Sequence, residues 1–159
     1  MGMYTYYKFD GTVKEKYRKD LQDLLTEDYS ESFEEKITNM NPAFKDFANG
    51  ERSSLILSGY QCEDEKTFNL KTGELHLACD IKDYSERNLD GTPKEKNSSK
   101  LFIELLPELC DTSKPLRYSS FYEEDEMAIK YEYFDGKWIC TNQEEYDKAF
   151  EKAHPYGMW

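Results

Sequence analysis

The chain has 159 residues, a formal charge of −12, 38% apolar residues and 15% aromatic ones. No run approaches the roughly 18 apolar residues of a membrane-crossing helix, and no basic stripe is available to neutralise phosphates, which argues against a membrane span and against direct nucleic-acid binding. The expectation is a soluble acidic protein, a single domain over residues 1–159, resident in the cytoplasm because no targeting segment is evident.

Residues 3–9 are Tyr-rich and weakly alternating, the pattern of a strand that Asp10-Gly11 ends. Thr12-Val13-Lys14-Glu15 has the spacing of a capping box, and Val13, Tyr17, Leu21, Leu24 and Leu25 then recur at helical intervals, predicting a helix over about 13–26. A short helix is expected from Ser32, with Phe33 and Ile37 inward. Another opens at Asn41-Pro42, with Phe44 and Phe47 inward and Gly50 just past its end.

Beyond Gly50 the chain turns β-prone. Residues 53–60 read as a strand, and residues 67–70 as a hairpin partner of residues 74–81 across Lys71-Thr72-Gly73. Residues 84–99 form the one long polar stretch, expected to be a mobile loop. Residues 100–106 read as a central strand stopped by Pro107, and residues 116–122 as a further strand. From residue 126 to 134 a strand alternates Met127, Ile129, Tyr131 and Tyr133 with polar neighbours, then Asp135-Gly136 supplies a tight turn into residues 137–140. Thr141 and Glu144 are spaced as a second capping box, ahead of a helix carrying Tyr146, Ala149, Phe150 and Ala153 on one stripe. The apolar tail at 155–159 is expected to tuck onto the body.

These elements spell α+β: N-terminal helices packed on a curved, mainly antiparallel sheet of six to eight strands, closed by a C-terminal helix. The helical half spans about 12–50, the β-rich half about 53–140 and the closing helix about 142–153. Helices ahead of a strand meander resemble the element order of cystatin-like cone folds, from which the closing helix departs.

Little in the chain carries catalytic chemistry. There is no G-x-G loop to cradle phosphate and no serine nucleophile elbow. Cys62, Cys79, Cys110 and Cys140 lack short spacings and read as free structural thiols. His76 and Cys79, three apart on a strand, point to opposite faces and do not share an ion. Glu63-Asp64-Glu65 reads as a solvated acidic turn, and no metal or cofactor is expected.

The charge is uneven: residues 123–159 hold ten acidic and four basic groups. If residues 124–132 are extended, Glu124, Glu126, Lys130 and Glu132 share one face, and Glu144, Glu145, Asp147 and Glu151 can enlarge it. Tyr122, Glu123, Glu124, Asp125, Glu126 and Glu132 are therefore the candidate partner-binding residues, aromatic and acidic in the manner that complements a basic groove. The expected function is that of a small acidic binding protein that inhibits or neutralises a partner by covering its basic surface, such as that of a nuclease or nucleic-acid-binding protein. In composition the chain resembles immunity proteins and phage anti-defence inhibitors. The alternative is a small-ligand or enzymatic pocket inside the curved sheet, using tyrosine hydroxyls and Glu104. A third expectation is an assembly subunit docking through Met158-Trp159.

Overall fold

Tyr7 and Phe9 alternate with Tyr6 and Lys8 along β1 (Tyr4–Thr12), and this alternation sets the frame for the rest. In the computed structural model, which describes residues 3–26 and 33–154, β1 is a central strand of a six-stranded antiparallel sheet. The other strands are β2 (Thr67–Phe68), β3 (Glu74–Lys82), β4 (Arg117–Tyr122), β5 (Ile129–Phe134) and β6 (Lys137–Cys140), and the spatial order is β2-β3-β1-β4-β5-β6. Tyr7 lies opposite Cys79 and Phe9 opposite Leu77, so the inward residues of β1 and β3 form one apolar surface.

Helices cover that surface. They are α1 (Glu15–Thr26), α2 (Phe33–Met40), α3 (Lys45–Ala48), α4 (Ser53–Ser58) and α5 (Ser98–Leu109), with α6 (Gln143–Ala153) beside β5. The stripe Tyr17, Leu21, Leu24, Leu25 of α1 is buried, as are Phe33 and Ile37 of α2. Phe102 of α5 is the hub: its ring meets Phe9 edge-on at 4.8 Å and lies 5.3 Å from Phe47. The void among Leu21, Ile37, Phe44 and Phe102 is about 10 Å³, no larger than a single water requires. The helices pack closely on one another there.

Several local signals act as read. The Asn41 side chain accepts from Ala43 N–H ahead of Pro42, starting a 3-10 turn over Pro42–Phe44. Asp135 (φ 52°) and Gly136 (φ 80°) form the tight turn between β5 and β6. Gly73 (φ 82°) closes the β2–β3 hairpin, and a Cβ there would stand 2.5 Å from the Val13 carbonyl that begins the turn into α1.

Three expectations are corrected. Residues 53–60 are not a strand but α4, which Gly59 terminates in the left-handed conformation. Residues 100–106 lie inside α5, which buries Phe102, Leu106 and Leu109 and runs past Pro107. A continuous apolar run fits either structure by pattern, and the helix wins because Phe102, Leu106 and Leu109 fall on one side of it. The polar stretch at 84–99 is also pinned rather than free. Arg52 donates to the Lys82, Tyr84 and Ser85 carbonyls, and Arg87 pairs with Pro93 in a β-bridge. Glu86 is 3% exposed and accepts from Ser98 N–H and Ser98 Oγ, which places a carboxylate at the N-terminus of α5. Asp83 accepts from Tyr7 and Ser99 alongside it.

The two capping boxes are replaced as well. α1 begins at Glu15 after Lys14 N–H bonds to the Leu109 carbonyl, and Asn142 rather than Thr141 precedes α6. The start expected at Ser32 and the tail at 155–159 lie outside the described residues. No helix among the described residues is long and apolar enough to cross a membrane.

Candidate functional site

By strand alternation, the side of β1 away from the helices presents Tyr4, Tyr6, Lys8 and Asp10. On β3 it presents His76 and Asp80, and on β4 Arg117, Ser119 and Phe121. Lys130 and Glu132 of β5 continue it. Residues 62–65 wrap the β3 edge onto this side: Asp80 N–H bonds to the Tyr60 carbonyl, and Tyr6 OH donates to Glu65 at 2.9 Å.

The sequence-predicted acidic patch is only partly assembled. β4 ends at Tyr122, and β5 does not begin until Ile129, so residues 123–128 are a turn rather than an extended strand. Tyr122 lies opposite Thr5, on the helix-bearing side of the sheet. Glu123 follows on the other side, its N–H bonded to the Tyr4 carbonyl at 3.1 Å. Glu123, Glu124 and Glu126 are exposed, and among the described residues none of the three has an ion-pair partner. Asp125 is half-buried and accepts from Tyr146 OH of α6 at 3.0 Å. Glu132 is not part of this group. It pairs in register with Arg117 at the far end of β4, about 17 Å along the sheet from Tyr122.

Asn142 fastens this region. It is 8% exposed, donates to the Ala128 carbonyl at 2.8 Å and accepts from Lys130 N–H at 2.8 Å. One amide thereby joins the end of the acidic turn to the start of α6. Of the acids on α6, Glu144 is paired with Lys148 at 3.3 Å, while Glu145, Asp147 and Glu151 are exposed.

The electrostatics follow the geometry. Partial burial and then the Glu123 charge hold the Asp80 carboxyl above its ordinary range. Desolvation followed by Glu124, Glu123 and Asp125 raises Tyr122. Burial, Glu65 and Asp80 push Cys62 up to about 11, leaving it a neutral thiol. The other three cysteines are likewise free.

Sequence reasoning missed a groove of about 400 Å³ in the open side of the sheet. Its floor is built from β1, β4 and β5, and its lining includes Tyr6, Lys8, Ser119, Phe121 and Lys130. The register puts Lys8 opposite Ser119 and Ser119 opposite Lys130, a basic–hydroxyl–basic row across three strands. The signal existed only as pairing between distant strands. Glu104, by contrast, is exposed on α5 and bound to Lys96 at 2.9 Å, so it enters no interior cavity. His154 stacks on Phe150 at the end of α6. Among the described residues no group of three His, Cys, Asp or Glu side chains is placed to hold a metal.

Comparison of the chain with known proteins finds no matching family model and no significant match among curated proteins or solved structures.

Proposed function

We propose that the protein is a non-enzymatic binding protein that inhibits or neutralises a basic protein partner by covering its nucleic-acid-handling surface. The observation that carries this reading is the trio Glu123, Glu124 and Glu126: exposed carboxylates on one short turn, without an ion-pair partner among the described residues. Exposed acids of one sign steer a positively charged partner and fix its orientation. The hydrogen bonds through Asp125 and Asn142 hold the turn against α6, so the array meets its partner already ordered. Glu132 is left out of this surface because it faces Arg117.

The test is affinity purification from the native host over a series of salt concentrations, with the triple variant Glu123→Gln, Glu124→Gln, Glu126→Gln as control. The expected partner is a basic nucleic-acid-handling protein whose complex weakens as salt rises and fails with the triple variant. A complex indifferent to both salt and the three substitutions removes the acidic turn from the interface.

A further inference from the structure

In a chain of charge −12, the groove on the open side of the sheet is lined by Lys8, Arg117 and Lys130 against two acids, Asp10 and Glu132, both of which neighbour Arg117. Lys8 and Lys130 are exposed, line it, and have no ion-pair partner among the described residues. Most other cations near this side are engaged. Arg117 lies 3.8 Å from Asp10, and Lys82 sits over the Tyr4 ring at 5.7 Å. Neighbouring strands are about 4.8 Å apart, so the Lys8 and Lys130 Cα atoms stand about 10 Å apart with Ser119 midway. A lysine side chain spans about 6 Å, which lets both ammonium groups converge on one anion above the Ser119 hydroxyl. Hydrogen bonds to ionised groups are the strong ones, and two lysines with a hydroxyl suit the several oxygens of a phosphate.

The row beyond Ser119 supplies the second half of a ligand site. Phe121 and Tyr6 are directly opposite each other on β4 and β1, half-buried and facing the groove. Aromatic rings on an open sheet face are stacking platforms for flat heterocycles. At the outer end of this row stand Glu65, Asp80 and Glu123, the first bonded to Tyr6 OH and the other two electrostatically coupled. Those carboxylates repel a phosphate and so impose a direction: anion at Lys8 and Lys130, ring at Phe121. The volume falls in the range of small-molecule sites.

We propose that this groove is a binding site for a nucleoside monophosphate, its phosphate held by Lys8, Ser119 and Lys130 and its base stacked on Phe121. The site adjoins the acidic turn at Glu123 but takes no ligand contact from it, and it stands whether or not the turn binds a protein.

Calorimetric titration of the full chain with each common nucleoside monophosphate tests it, beside inorganic phosphate and an acidic peptide. Exposed Lys8 and Lys130 can be changed without loss of packing, which circular dichroism verifies. At least one nucleotide is expected to bind, about tenfold or more weaker to Lys8→Gln/Lys130→Gln. Phe121→Leu should weaken the nucleotide while leaving phosphate binding unchanged. Failure of every nucleotide to bind, or binding indifferent to the lysine pair, overturns the proposal. So does equal affinity for inorganic phosphate, which denies the ring a role, or lysine-dependent capture of the acidic peptide alone.

Discussion

The two halves of the sheet differ in what lies against them. β1 and β3 bury Tyr7, Phe9, Leu75, Leu77, Cys79 and Ile81 beneath the helices. The corresponding side of β4, β5 and β6 carries Tyr118, Tyr131, Tyr133, Trp138 and Cys140, all only half-buried. The aromatic residues there flank the core and pack on one another, Tyr118 stacked on Tyr131 at 4.7 Å and edge-on to Trp138 at 4.8 Å. Burial scales with apolar area removed from water, so stability is concentrated in the first half. The second half spends its residues on surface: the acidic turn, the groove wall and α6, which has no fully buried side chain.

Substitution can test this division. Phe102→Ala, at the hub of the helix-covered half, is expected to cost about 3–5 kcal/mol in chemical denaturation. Trp138→Ala should cost less, about 2 kcal/mol, because its ring is only partly withdrawn from solvent; equal losses at the two positions would dissolve the distinction. Asn142→Ala strips partners from the Ala128 carbonyl and the Lys130 amide, an expected loss of about 1–2 kcal/mol. Hydrogen exchange should then show faster opening in α6 and β5 with β1 unchanged. Spread of that effect into β1 would mean that the two halves open together.

The smallest effect concerns pH. Asp80 is held above its ordinary carboxylate range by burial and by Glu123, so its charge opposes folding at neutral pH. Asp80→Asn should therefore be the more stable protein at neutral pH. The difference should vanish as pH falls below about 3.9, where the carboxyl is protonated both folded and unfolded. Carboxyl titration by NMR should also show the Asp80 pKa falling in Glu123→Gln; no change would separate the two groups.

Legibility in the sequence tracked how local the determining physics is. The Asn41 cap, the Asp135-Gly136 turn and the alternation of Leu75, Leu77, Cys79 and Ile81 are decided within a few residues, and all were readable. The apolar runs around Ile56 and Phe102 fit strand or helix equally, and tertiary contacts chose helix. Nothing near Ser98 announces that Glu86, twelve positions earlier, will sit at the start of α5. Part of the acidic patch was legible as composition, but Glu132 separated from it once the register with Arg117 was set. The groove was hidden altogether, since Lys8, Ser119 and Lys130 meet only through pairing across the whole chain.

If the acidic turn meets a partner as proposed, the single amide of Asn142 bears on the kinetics of that encounter. A loop tip that must search for its bound shape loses encounters that a preset one converts, so a tethered turn makes the first collision productive more often and shifts selectivity toward partners whose charges already match its spacing.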